Sequence, residues 1–329
     1  MRIAIDAMGG DHAPHEIVAG VLQAAKEWTD AELILVGDSA RIEALMSERP
    51  GNVRVHHAGD VITADDEPGK AVRRKKDASM VVAGRLVREG EADAMISGGN
   101  TGALMVTGLL IVGRMEGVER PALAPMLPTM DGTGVLALDL GANMDASPEE
   151  LLQYAIMGSI YRSKVQGIAK PRVGLLNIGT EAMKGNTLTK TAYGLLEQAP
   201  IQFVGNVEAS QVMRGGCDVL VCDGFSGNVM LKAMEGTADA VFSTLKTEFT
   251  RTWMTKLAAA VMMPGLRQFK KKLDYKEHGG APMLGLSGLV LKCHGSSDAL
   301  AVKNAVRQAR VALQSGLVQA IAAEINTRK

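Results

Sequence analysis

Three short stretches end an apolar run in a glycine turn that also carries asparagine: AMISGGNTGALM (94–105), LALDLGANMDA (136–146) and LVCDGFSGNVMLK (220–232). Glycine permits positive φ or a close backbone approach, and the helix pattern that follows opens with amide donors lacking intrahelical partners. Such donors, backed by the helix dipole, suit an anion, phosphate above all. The candidate binding positions are Gly98, Gly99, Asn100, Thr101 and Gly102, then Asn143, then Asp223, Ser226, Gly227 and Asn228. Asparagine side chains both donate and accept, while Thr101 and Ser226 can cap a helix or give a hydroxyl to a ligand. Singly, each turn reads as an ordinary packing and capping device. Together, at the sheet edge where ligands bind, they point to one anion or carbonyl site. A Walker loop is absent, and GGNTGA lacks the glycine spacing of a dinucleotide fingerprint.

Charge is added by other strand ends. NIGTEAMKGNTLTK (177–190) sets Lys184 beside Gly185 and Asn186. By itself this is an ordinary solvated lysine, yet from such a turn it can reach a phosphate or carbonyl oxygen as a point charge. KCHGSSDALAVKNAVRQA (292–309) runs from a strand through His294 into a helix capped by Ser297 or Asp298. His294 has three readings: a satisfied core histidine, a hydrogen-bond donor to substrate, or a general acid. Asp6, Gly9, Gly10, Asp11 and His12 form a further cluster. No second dense His/Asp/Glu group accompanies it, so no metal centre is expected, and Asp6 and Asp11 are read as tying down turns and helix ends. DEPGKAVRRKKDASM (66–80) brings Lys70, Arg73, Arg74, Lys75 and Lys76 within two helical turns. That is a solvated face or a contact for an acidic partner or phosphate.

The elements that must position these residues alternate. Apolar runs at 2–7, 31–38, 53–58, 92–97, 134–140, 172–179, 201–207 and 218–223 read as buried strands. Helical patterns fall at 14–28, 39–48, 69–90, 101–115, 148–164, 187–198 and 228–251. This order predicts an α/β fold of three layers, α/β/α, with a largely parallel central sheet, and ligands beyond the carboxyl ends of its strands. Residues 1–329 are expected to form a single α/β domain, with a helical hairpin at about 236–276 protruding from it. Within the hairpin, Val241, Leu245, Phe249 and Trp253 recur at helical spacing as a packing stripe, and the helix is expected to run on to a Pro264-Gly265 turn. Leu257, Val261, Met262, Met263, Leu266 and Phe269 make an apolar tip, followed by Lys270, Lys271 and Lys272. An apolar tip with a basic flank suits a membrane surface, an acidic partner or a second subunit.

Composition narrows the function. A formal net charge of zero and 3% aromatics argue against nucleic acid, which needs a basic surplus or stacking platforms. The three cysteines have no zinc spacing, and their odd number fits a reducing compartment. The opening MRIAIDAMGG is a strand, not a signal peptide, and no apolar stretch is long enough to span a bilayer, so a cytoplasmic chain is expected.

DAMGGDHAP, SGGNTGALM, DLGANMDA, NIGTEAMKGN, DGFSGNVMLK and HGSSD, in that order along essentially the whole chain, resemble the bacterial phosphate acyltransferases of phospholipid synthesis, the acyl-ACP:phosphate transacylases. Gly98 and Cys293 stand where alanine is expected, which weakens a thiol role for Cys293. The resemblance implies a homodimer with a fold related to the isopropylmalate/isocitrate dehydrogenase and phosphotransacetylase group. It implies transfer of a long-chain acyl group from acyl carrier protein to inorganic phosphate, without a cofactor, and peripheral contact with the inner face of the cell membrane. On this reading Lys184, Asn228 and His294 are catalytic, and glycine-turn amides around Gly98–Gly102 and Gly227 hold phosphate. Phosphate is already an anionic nucleophile and a thiolate leaves readily, so positioning and oxyanion donors suffice. A nicotinamide-dependent dehydrogenase, a Cys222 covalent intermediate and a non-catalytic membrane scaffold are the rival readings.

Overall fold

The computed structural model describes residues 1–257, 259, 261–263, 265 and 279–327. Each apolar run forms a strand, but the strands divide between two sheets. The first contains β1 (Arg2–Asp6), β2 (Glu32–Gly37), β3 (Val53–His57), β4 (Ala94–Ser97), β5 (Ala122–Leu123), β11 (Ala281–Leu284) and β12 (Leu289–Lys292), in the order β3-β2-β1-β4-β12-β11-β5. The second contains β6 (Met126–Leu127), β7 (Val135–Leu138), β8 (Arg172–Asn177), β9 (Gln202–Glu208) and β10 (Val219–Val221), in the order β6-β7-β10-β8-β9. Pairing is parallel except where β11 meets β12 and β5, and where β6 meets β7. The chain thus crosses between sheets at Ala124-Pro125 and later returns to finish the first one.

The period-2 geometry of a strand, with both faces covered, explains why the central runs are apolar throughout, whereas edge strand β3 alternates as Val53-Arg54-Val55-His56. Ile3, Ile5, Leu33, Leu35, Ile96 and Leu291 face a cluster that also takes Leu136, Leu138, Val173, Val219 and Val221 from the second sheet. Their neighbours Ala4, Ile34, Val36, Met95 and Val290 face the opposite way, into a cluster with Val81 and Leu86 of α4 (Ser79–Arg88). Val135, Ala137 and Leu220 likewise back onto Met230 of α9 (Gly224–Phe249). Both faces of the central strands are therefore buried, the edge strands β3 and β9 keeping exposed residues, and the middle cluster is shared through α6 (Pro148–Gln166) and α10 (Ala299–Gln314).

Several expected helices differ. The 69–90 pattern divides into α3 (Pro68–Arg74) and α4 because Asp77 between them is recruited elsewhere: its carboxylate accepts from Gly59 N at 2.7 Å. The 39–48 helix shortens to α2 (Ser39–Glu43). In the 101–115 stretch, α5 (Thr101–Thr107) passes into a π-helical turn at Gly108–Val112. The long helix expected to run through 241 and beyond ends at Phe249, where Thr250 Oγ1 turns back to Lys246 O at 2.8 Å. Helical backbone resumes at 253–257, with Thr252 Oγ1 accepting from Thr255 N at 3.2 Å. The packing stripe is open in the single chain, Val241 being 51% and Trp253 71% exposed. Pro264, Leu266, Phe269, the three lysines after it and the second hairpin helix lie outside the described residues. Among the described residues no helix is long and apolar enough to cross a membrane.

Candidate active site

Parallel pairing of β1 with β4 and of β4 with β12 sets the carboxyl ends of these three strands side by side. Their loops interlock. Asp11 N donates to Gly295 O at 2.8 Å, and a Cβ on Gly98 would lie 2.9 Å from Gly9 O and 3.5 Å from His294 O. Gly10, at φ 122°, needs the conformational freedom only glycine has. Under the rim sits Asp6, fully buried. Its Oδ1 accepts from Ser79 Oγ at 2.6 Å and Met8 N at 3.2 Å, while its Oδ2 accepts from Ser97 Oγ at 2.6 Å. Ser97 Oγ in turn accepts from Gly99 N at 3.0 Å, so one carboxylate fixes β1, α4 and the Gly98–Gly99 turn. Burial raises the Asp6 pKa, and the serine hydroxyls hold the rise in check. The sequence reading of Asp6 as a turn anchor agrees with these bonds.

Asn100 caps α5 through Ala103 N at 3.0 Å, and its amide donates to the carbonyls of Thr63, Ala64 and Asp66. Its side chain is occupied in fastening the 63–66 loop, leaving exposed Thr101 and half-exposed Gly102 at the helix start. His294 Nδ1 accepts from Ser296 N at 3.2 Å, which places the proton of the neutral ring on Nε2. Burial, then the nearby Lys292 charge, lowers its pKa, so the ring is a neutral N–H donor near pH 7. Asp298, not Ser297, caps α10, accepting from Ala301 N at 3.0 Å.

The second rim follows the same logic, because β7, β10 and β8 are parallel neighbours. Asp223 caps α9 by accepting from Ser226 N at 2.8 Å. Gly227 is buried, and a Cβ there would meet Asp139 O at 2.3 Å, so it lets α9 lie against the β7 loop. Asn143 is also inside: its amide donates to Pro121 O at 2.8 Å, Tyr154 Oη at 3.0 Å and Asp139 Oδ2 at 3.2 Å. These two serve the fold, whereas Ser226 is exposed and Asn228 partly so. Asn228, Lys232 and Glu235 share one face of α9 by their i, i+4, i+7 spacing. Lys232 and Glu235 act electrostatically on His294 of the first rim, while the Asn228 side chain lies against Gly141 of the second. Lys232 is a residue the sequence reading passed over, although helical spacing from Asn228 signals it.

Lys184 stands exposed in the loop after β8, on the same edge as α9's start. The loop is fixed from beneath by Asn177 Nδ2, which donates to Lys184 O at 3.1 Å, and Asn186 caps α7 (Thr187–Gln198) through Thr189 N at 2.9 Å. No described contact joins Lys184 to His294.

The basic run is not uniform. Lys75 is held by Asp66 at 2.8 Å and Lys70 by Glu67 at 2.5 Å, while Arg73, Arg74 and Lys76 are exposed. Lys76 instead borders a cavity of about 380 Å³ that Arg85, Arg88, Glu89, Val81 and Ile111 also line. Arg85 and Arg88 extend the basic surface across a second helix, which no local charge run reveals. At the hairpin, Leu257 is 61% and Val261 82% exposed, with Met262 and Met263 also at the surface. All three cysteines are buried, and burial lifts the Cys217 thiol to about 12 and the Cys293 thiol to about 11; that of Cys222 is raised too. None is a thiolate near neutral pH.

The fold has known counterparts. A phosphotransacetylase from Streptococcus pyogenes superposes with a TM-score of 0.61 at 18% identity, covering 96% of this chain and 94% of that one. A branched-chain phosphotransacylase from Enterococcus faecalis V583 gives 0.56 at 16% identity, covering 95% and 99%. In sequence, the chain is 56% identical over 322 residues to a phosphate acyltransferase of Brevibacillus brevis, covering 98% of this chain and 96% of that protein. It is 54% identical over 325 residues to one of Geobacillus thermodenitrificans, covering 99% of each. The family model described as fatty acid synthesis protein matches residues 1–320. The chain belongs to this fatty acid synthesis protein family and is an acyltransferase.

Proposed function

We propose that the protein transfers a long-chain fatty acyl group from acyl carrier protein to inorganic phosphate by direct attack of phosphate on the thioester, giving acyl phosphate for phosphatidic acid synthesis. The observation that supports this reading is the closed glycine rim of Gly98–Gly99 beside neutral His294, on which Lys232 and Glu235 of α9 act electrostatically. Phosphate oxygen forms the new bond to the acyl carbon, the carbon–sulfur bond breaks, and the carrier thiolate leaves. Rim amides hold phosphate, Asn228 and Lys184 face the developing oxyanion or orient the nucleophile, and His294 Nε2–H meets phosphate or the leaving sulfur. The protonated, buried thiols favour direct attack over a Cys222 intermediate.

The decisive experiment follows free carrier thiol from acyl carrier protein with and without phosphate. Thiol release that requires phosphate is expected; release at the same rate without phosphate would refute direct attack.

The exposed Arg73, Arg74 and Lys76 with Arg85 and Arg88 offer a surface for an acidic carrier protein. The open stripe of Val241, Leu245 and Trp253 supports a homodimer in which a second copy covers it. We read the two sheets as lobes of one unit, since they share a core. The Leu257–Met263 tip supports peripheral membrane contact from the cytoplasmic side. Replacing Leu257 and Val261 together by aspartate is expected to abolish flotation with anionic vesicles while soluble turnover persists. Retained flotation would remove the membrane role.

A further inference from the structure

Lys292 ends β12 beneath the first rim, 91% buried given its 9% exposure. Its ammonium donates to the carbonyls of Cys293 and, at 3.5 Å, Gly98. An ammonium has three donors, so two are spent on the rim backbone and one remains. No described carboxylate lies within ion-pair distance of it: Asp6, the nearest buried acid, is committed to Ser79, Ser97 and Met8. A lysine charge taken out of water without a counter-ion is costly, and proteins retain one where a ligand supplies the anion. The place fits that need, because the loops after β1, β4 and β12 converge there.

We propose that Lys292 is a further phosphate-binding residue, its ammonium supplying the buried positive charge that holds the inorganic phosphate nucleophile against the Gly98–Gly99 turn. This deepens the acyl-transfer reading and rests on it only for the identity of the nucleophile. The charge differs in kind from that of Lys184, which is exposed and screened by water. The groups facing Lys292 are Asp6 and Asp11 from the β1 side, and Cys293 and His294 on its own strand end. Desolvation dominates over these and lowers the Lys292 pKa, whereas Cys293 is raised to about 11 and stays a thiol through mildly alkaline pH. The ammonium is therefore lost below the usual lysine range, and phosphate affinity should weaken there as pH rises, after phosphate itself has become a full dianion.

The test titrates inorganic phosphate against wild type, Lys292→Met and Lys292→Arg without acyl donor, across alkaline pH, and then measures steady-state phosphate KM. Expected are an alkaline loss of affinity in wild type, its absence in Lys292→Arg, and a phosphate KM raised about tenfold or more in Lys292→Met with the acyl-donor KM little changed. If wild-type affinity is flat through alkaline pH, or Lys292→Met keeps its phosphate KM within twofold, the proposal falls whatever the stability of the variants. If instead wild type binds phosphate with that pH dependence but transfers no acyl group to it, the anion site stands and the acyl-transfer reading fails.

Discussion

Asp6→Ala is expected to destabilise the protein by about 3 kcal/mol and to abolish phosphate-dependent turnover. Three donors, Ser79 Oγ, Ser97 Oγ and Met8 N, converge on this carboxylate. Removing it leaves them buried without an acceptor, at roughly 1 kcal/mol or more each. Turnover should suffer beyond the loss of stability, because Ser97 also receives Gly99 N, and the Gly98–Gly99 turn is the proposed anion cradle. Urea unfolding should show a lower midpoint with unchanged slope. The pH dependence carries its own sign. Burial makes the folded protein hold the Asp6 proton to higher pH than the unfolded chain does. The associated stability is therefore complete below the ordinary carboxylate range and declines as pH rises through the raised folded value. Asp6→Ala should lose that slope; a variant with wild-type midpoint and wild-type acid profile would contradict the anchoring role.

Asn228→Ala is expected to cut kcat by about 10²–10³-fold with modest change in either KM, the usual cost of one oxyanion donor. Asn228 is half-buried at the start of the second turn of α9, with Lys232 one turn further along the same face. Little packing is lost with it, so thermal stability should change by less than about 1 kcal/mol. A kcat loss without a stability loss separates it from Asn143, whose amide is committed to Pro121, Tyr154 and Asp139. Steady-state kinetics beside a melting curve makes the distinction. A kcat within threefold of wild type would take Asn228 out of the reaction.

The sequence by itself determined the elements that carry the chemistry. Each of the eight apolar runs became a strand: the central ones because burial on both faces demands unbroken hydrophobic residues, the edge strands β3 and β9 with a weaker, partly alternating mark. One cap was legible, Asp298 being one of the two residues expected to start its helix; Asn100, Asn186 and Asp223, expected at a ligand, instead cap their helices, a role expected of Thr101 and Ser226 in the first and last of these. Only the tertiary structure decided which strand ends meet. β12 lies beside β4 although more than half the length of the chain separates them, and the short strands β5, β6 and β11 exist because partners were waiting. For the same reason Lys292 drew no notice, Lys75 looked like part of a solvated or partner-binding face and Asn143 like a ligand donor. Whether a side chain is buried, paired or open depends on groups distant in sequence, and pairing through space leaves no local period to read.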